Sequence, residues 1–180
     1  NMNIKYFPMG VDTDFFVPSP KKRTEKLVLV SIGRLIKRKG YHILLNALRD
    51  MEHVKLVLVG EGNQKNALMR LAESLQLNVE FAGIKNKYQI REILVQSDVF
   101  ILPSLNEGMS NSMLEAMSCG LPIITTDTGG SQELVQGNGI IVRKGSPAAL
   151  TKAIERYQNN PELIDKHRSA SRIRAEMFSW

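Results

Sequence analysis

At 180 residues, 43% of them apolar and 23% charged, the chain has the proportions of one globular domain with a sizeable core. Its single cysteine, Cys119, excludes an internal disulfide and any CxxC metal or redox site, and no apolar run approaches the ~18 residues of a membrane-spanning helix. Lys and Arg number 24 against 18 Asp and Glu, and the net charge of +6 favours an anionic partner such as a nucleotide, phosphate, nucleic acid or acidic lipid.

The lone thiol suits a reducing compartment, and the opening residues do not read as a secretory leader. Residues 8–23 carry Pro8, Gly10, Pro18, Pro20 and the basic run Lys21, Lys22, Arg23, which reads as an irregular, solvated lead-in. Within it Asp12-Thr13-Asp14 has the spacing of a DxD site, where two carboxylates hold Mg²⁺ or Mn²⁺ on a diphosphate. Its place among prolines favours turn chemistry instead.

A regular alternation begins at residue 27. The run LVLVSIG (27–33) reads as a strand, and Leu44, Ala47, Leu48 and Met51 follow at helical spacing. The pair recurs as VKLVLVG (54–60) with Leu68, Leu71, Ala72 and Leu75, then as VEFAG (79–83) with Ile90, Ile93 and Leu94. Three further strands are VFILPS (99–104), PIITTD (122–127) and GIIV (139–142), continuous apolar runs of the kind covered on both faces. Helices are expected at 112–118, at 147–158 and from Pro161 onward, with Asn160 as cap. Six strands alternating with helices predict an α/β fold with a doubly wound, parallel, Rossmann-like sheet. With strand order 3-2-1-4-5-6, the ligand crevice opens between the first and fourth strands at their carboxyl ends.

Two segments would meet there. GRLIKRKG (33–40) places four cations from Arg34 to Lys39, and phosphate oxygens suit them because Arg binds two at once and Lys supplies a mobile charge. A solvated basic loop is the plainer account. NEGMSNSMLEAMSCG (106–120) joins Glu107, in a loop with Gly108, to Glu115 inside a helix that starts near Asn111 or Ser112. The free N–H groups and positive dipole end of such a helix bind anions, so the amides of Met109, Ser110, Asn111 and Ser112 could cradle a diphosphate. Yet Ser112-Met113-Leu114-Glu115 is also a capping box, in which Glu115 only closes the first turn.

Other features carry less. Gly60-Glu61-Gly62 starts like a dinucleotide fingerprint, but Lys65 stands where the third glycine belongs. His42 opens a helix, His53 and His167 read as exposed, and none has a metal or triad partner at a telling spacing. Cys119 reads as a small packed residue and Gly129-Gly130 as a turn or a flexible wall of the cleft.

Taken in order, GRLIKRKG, VGEG, FAG and NEGMSNSMLEAMSCGLPIITTDTGG resemble the donor-binding C-terminal half of retaining GT-B glycosyltransferases, specifically glycosyltransferase family 4 (glycosyl transferases group 1). The resemblance runs from Pro8 to Trp180, and Glu107 and Glu115 fall at the family's paired-glutamate spacing. It implies transfer of a sugar from a nucleotide diphosphosugar (a UDP-, GDP- or ADP-sugar) to an acceptor hydroxyl with the anomeric configuration retained. Arg34 and Lys39 would neutralise the donor diphosphate, Glu107 would contact the transferred sugar, and Glu115 would hold the ribose hydroxyls. Gly33, Gly62, Gly83, Ile84, Gly108, Met109, Ser110, Asn111 and Ser112 would complete the phosphate, sugar and base contacts.

Neither a metal nor a further cofactor is expected. The resemblance divides the chain into an interdomain linker (1–24) and a donor domain (25–180), with an N-terminal acceptor domain outside the chain as partner. Beyond Phe178-Ser179-Trp180 the family continues into a helix that returns to that domain, so this half alone is expected to bind donor weakly and turn over little. The acceptor would be a glycan, lipid or small molecule. The location implied is cytoplasmic, and the cations of Lys21, Lys22 and Arg23 leave peripheral contact with the cytoplasmic membrane face open.

Rival readings are a GT-B-like nucleotide-sugar epimerase and a non-catalytic sugar-nucleotide-binding module. A phosphorylase would need a pyridoxal-binding lysine that no segment resembles. A glycosidase pair of glutamates leaves the basic loop without a role. Nucleic acid is not an expected partner, because the cations lack interleaved aromatics and no helix-turn-helix, OB or RRM pattern is present.

Overall fold

The alternation that begins at residue 27 folds into one twisted sheet. A computed structural model describes residues 10–20 and 24–180. Pro8 and the basic run Lys21, Lys22, Arg23 lie outside the described residues. In chain order the elements are β1 (Leu27–Ile32), a 3-10 turn (Lys37–Lys39), α1 (Tyr41–Ala47), β2 (Val54–Val59), α2 (Lys65–Ser74), β3 (Val79–Gly83) and α3 (Lys87–Val95). There follow β4 (Val99–Leu102), α4 (Asn111–Ser118), β5 (Ile123–Thr126), the short α5 (Ser131–Leu134), β6 (Gly139–Val142), α6 (Pro147–Gln158) and α7 (Pro161–Glu176).

All neighbouring strands pair parallel, in the order β3-β2-β1-β4-β5-β6. This is the order on which the crevice between the first and fourth strands was conditional, and it leaves every strand's carboxyl end on one rim. Side chains divide between two layers. Leu29, Leu56 and Ile101 face α1, α2 and α6, while Val30, Val57 and Phe100 face α3, α4 and α7. Period-two alternation thus runs inside strands that are apolar on both faces. Capping fixes the helix starts. Asn86 and Gln89 close a capping box on α3, Ser146 accepts from Ala149, and Asn160 accepts from Leu163 with Pro161 in the first turn.

The structure corrects three sequence expectations. β6 is not buried on both faces. As an edge strand, all four of its residues are only partly covered. Nor is the lead-in solvated, because Val11, Thr13 and Phe16 are buried. Val11 and Phe16 are apolar and pack into the layer of α4 and α7, and Val11 forms a bridge with Ser179 near the chain's other end. The third correction is His167, which is buried rather than exposed. Its Nδ1 shares a 2.7 Å hydrogen bond with the Tyr157 hydroxyl, and burial, with Arg156 and Lys166 nearby, holds the imidazole pKa below its usual value. The neutral ring can then accept from the phenol.

Asp12-Thr13-Asp14 forms a turn, as the flanking prolines suggested. Asp12 Oδ1 accepts from the Phe15 amide at 2.9 Å, and its carbonyl accepts from the Phe16 amide. Arg172 of α7 then ties the lead-in to the domain. One guanidinium nitrogen donates to the carbonyls of Thr13, Phe16 and Ser118 at 3.0–3.1 Å, and the Ser118 hydroxyl donates to the same Phe16 carbonyl, so main-chain acceptors outside any strand ladder are satisfied. Arg172→Met keeps the packed stem but strips these bonds, and is expected to cost about 2–3 kcal/mol. Urea unfolding measures this as a lower midpoint at unchanged slope, and a loss under ~0.5 kcal/mol would make Arg172 an ordinary surface residue.

Candidate active site

The loops leaving β1 and β4 are stitched together at the carboxyl rim. Gly40 closes the 3-10 turn at φ +70°, and a Cβ there would stand 2.1 Å from the Pro103 carbonyl oxygen. Only glycine allows so close a pass with that backbone angle. The Leu105 amide donates to the Arg38 carbonyl at 2.9 Å, and the Ser112 hydroxyl donates to the Ile32 carbonyl at 3.1 Å. Between these links Lys39 Nζ forms an ion pair with Glu107 Oε2, and their side chains are 12% and 16% exposed. Ser104 Oγ donates to the same carboxylate oxygen at 3.1 Å.

The amino end of α4 stands beside this pair. Ser110 is its cap, with Oγ accepting from the Met113 amide, so the expected capping box of Ser112 and Glu115 does not form. With the cap two residues earlier, the third helical position is Met113, and Glu115 lies beyond reach of the cap. Glu115 is half-buried, and no hydrogen bond or ion pair of its carboxyl is found among the described residues. Burial pushes its pKa up to about 7. The amides of Asn111 and Ser112 open the helix and have no helical acceptor of their own.

The rim continues on either side. Gly130 packs so close to the turn before α4 that a Cβ would stand 2.5 Å from the Gly108 carbonyl oxygen, whereas a Cβ on Gly108 itself would meet open space. Gly129-Gly130 is therefore a fixed wall leading into α5, which the sequence did not suggest. Toward β2, a Cβ on Gly62 would stand 2.3 Å from the Leu35 carbonyl oxygen, and Leu35 and Glu61 are joined by a main-chain hydrogen bond. Gly60 and Gly62 thus serve loop contact, in keeping with the failed dinucleotide pattern. Gly83, at φ +70°, ends β3, and Ile84 beside it is 78% exposed.

Of the residues singled out from sequence, Lys39, Glu107 and Ser112 are brought together, with Gly33, Ser110 and Asn111 adjacent to them in the chain or contact network. Arg34 is exposed, and its guanidinium has no hydrogen bond or ion pair among the described residues. Gly83 and Ile84 stand at the end of β3, two strands away from β1. Sequence reasoning missed Tyr41 and Ser31. The Tyr41 hydroxyl is buried without a hydrogen-bond partner, 3.0 Å from where a Gly33 Cβ would stand, and Lys39 Nζ is 3.6 Å from that same point. Burial pushes the phenol up to about 12. The nearby Ser31 hydroxyl draws it down in part without reaching hydrogen-bond geometry, and the Glu107 carboxylate raises it further. The signal was a hydroxyl inside the apolar run of β1 at Ser31 and an aromatic residue opening α1 at Tyr41.

Ionisation of Glu115 opposes folding. Because the folded-state pKa of about 7 lies above the ordinary 4.5, the native chain keeps a proton that the unfolded chain has released. That contribution is whole below pH 4.5 and is lost as pH rises to about 7. Glu115→Gln is therefore expected to be more stable than the parent by about 1–3 kcal/mol at about pH 8, with the gap closing in acid. Urea titrations across this range measure it, and equal midpoints at the alkaline end would mean that the carboxylate is already compensated.

Comparison with known proteins agrees with this architecture. The chain is 31% identical over 180 residues to a subunit of phosphatidylinositol N-acetylglucosaminyltransferase from Arabidopsis thaliana, covering 96% of this chain and 40% of that protein. Sucrose-phosphate synthase from Thermosynechococcus elongatus superposes with a TM-score of 0.90 at 25% identity, covering 96% of this chain and 48% of the other. Anabaena HepE in complex with UDP and glucose superposes at 0.86 and 25% identity, covering 94% and 51%. The chain thus spans about half or less of the length of these relatives. Residues 12–174 match the family described as glycosyl transferases group 1, and the chain belongs to that family.

Proposed function

We propose that this chain is the donor-binding half of a retaining glycosyltransferase of family 4, moving a sugar from a nucleotide diphosphosugar to an acceptor hydroxyl. The observation that carries this reading is the Lys39–Glu107 pair set beside the unpaired amides of α4, between β1 and β4. A cation, its paired carboxylate and free N–H groups gathered at one rim suit a ligand that is anionic at one end and hydroxylated at the other. Similarity to a protein solved with UDP and glucose supports the same ligand class.

Cleavage of the bond from sugar to diphosphate leaves negative charge on the leaving oxygens and an oxocarbenium-like sugar. Lys39, the exposed Arg34 and the amides of Asn111 and Ser112 stabilise that charge, with Met109 and Ser110 contributing from the turn. Glu107 holds the transferred sugar, and Glu115 accepts from the ribose hydroxyls. Gly33 and Gly62 keep the walls close, Gly108 completes the phosphate and sugar contacts from a turn with open space beside it, and the main chain at Gly83 and Ile84 meets the base. In this reading residues 1–24 are the linker and residues 25–180 the donor domain. The acceptor is bound by an N-terminal partner domain and is a glycan, lipid or small molecule. The described residues include no helix long and apolar enough to cross a membrane. Peripheral contact with anionic headgroups would draw on the chain's excess of cations.

Thermal unfolding of the chain with UDP, GDP and ADP, each with and without its sugar, tests the assignment, because a ligand of the folded state alone raises its stability. One base is expected to raise the midpoint, and Arg34→Ala and Lys39→Ala to blunt the rise. In the full-length enzyme each variant is expected to lose about a hundredfold or more in turnover. No response to any nucleotide, or unaltered turnover by both variants, refutes the reading.

A further inference from the structure

Lys39 already holds an anion of the protein's own. Its Nζ is paired with Glu107 Oε2, both side chains are largely withdrawn from water, and Ser104 Oγ donates to that same oxygen. The Tyr41 phenol, 1% exposed, lies near Lys39 on the same side of Gly33, so the surroundings on that side are protein and weaken the attraction little. Any diphosphate that reaches Lys39 therefore displaces a carboxylate.

What the displaced carboxylate receives in exchange differs between ligands. A bare nucleoside diphosphate takes the ammonium and leaves Glu107, poorly hydrated, with the Ser104 hydroxyl as its remaining donor. Parting a shielded charge from its counter-ion without replacement is costly. A nucleotide sugar brings hydroxyl groups to the same place, and the carboxylate exchanges one donor for others.

Resting on the donor-site reading above, we infer that the Lys39–Glu107 pair makes the site select the intact sugar donor over its nucleoside diphosphate product. Glu107 acts as a competing anion toward the one ligand and as a hydrogen-bond acceptor toward the other. Once the sugar has moved to the acceptor, Glu107 loses its donors, returns to Lys39 and loosens the product. Ser104 is a positioning residue in this exchange. It is fully buried, and its own carbonyl accepts from Thr126 Oγ1, so β5 fixes the hydroxyl that orients the carboxylate.

Calorimetric titration of the parent chain, Glu107→Gln and Ser104→Ala with UDP, GDP and ADP, each beside its glucose conjugate, tests this. Glutamine has the shape of glutamate without its charge, and a thermal melt of each variant without ligand checks folding. For the base that binds, Glu107→Gln is expected to take the nucleoside diphosphate about tenfold more tightly than the parent, a shift of ~1.4 kcal/mol. The sugar nucleotide is expected to bind no better, so the preference narrows or reverses. Ser104→Ala is expected to shift the preference in the same direction by a smaller factor. A folded Glu107→Gln that binds the diphosphate no more tightly overturns the inference and leaves the donor site standing. Absence of any nucleotide binding by parent and variants removes the donor site and the inference together.

Discussion

At Gly40 the main chain passes Pro103 so closely that a single methyl group would stand 2.1 Å from the carbonyl oxygen. That contact sets the distance between the loops leaving β1 and β4, and the pairing of Lys39 with Glu107 depends on it. The neighbouring links, Leu105 to Arg38 and Ser112 to Ile32, hold backbone to backbone or hydroxyl to backbone, so the charged side chains meet on a rigid frame. A parallel sheet makes the frame available because all of its strands discharge their loops on one rim. Glycine makes it tight. At positions 40, 62 and 130 a side chain would occupy the space of another loop's main chain.

The same rim carries groups that folding alone would not choose. Glu115 is half-buried with its pKa raised to about 7, and the hydroxyls of Tyr41 and Ser31 are buried without partners. Each leaves hydrogen-bonding capacity unmet, an arrangement that the packed layers above and below the sheet must offset. Ser31 lies near the end of β1, Tyr41 opens α1 after the loop that leaves it, and Glu115 lies on α4, while the Arg174 Nε, likewise buried without a partner, lies on α7.

A second constraint acts at the margin of the domain. Arg172 gathers carbonyls of the lead-in and of the last turn of α4, while Val11 bridges to Ser179. The segment around Val11 and Phe16 is thereby packed onto α4, the helix whose other end faces the Lys39–Glu107 pair. A turn that looked like a loose tether in the sequence is part of the layer that positions the site.

Local patterning was enough for the sheet. Apolar runs of four to six residues separated by helical spacing were enough to give six strands in a parallel, doubly wound sheet, because those signals act over a few residues. The order 3-2-1-4-5-6 was one of several that right-handed crossovers allow and is fixed by the packed sheet. The convergence of GRLIKRKG with the segment around Glu107 was legible given that order. Only the tertiary structure decided which of two serines caps α4, since Ser110 and Ser112 are chemically alike and the choice falls to the backbone that enters the helix, while Ser112 is drawn to Ile32. It likewise decided that His167 lies inside against Tyr157, that Val11, Thr13 and Phe16 of the lead-in are buried, and that the Tyr41 hydroxyl lies near Lys39. These are contacts between residues distant in the chain or between polar tips on apolar stems. One-dimensional spacing does not record which surface meets which.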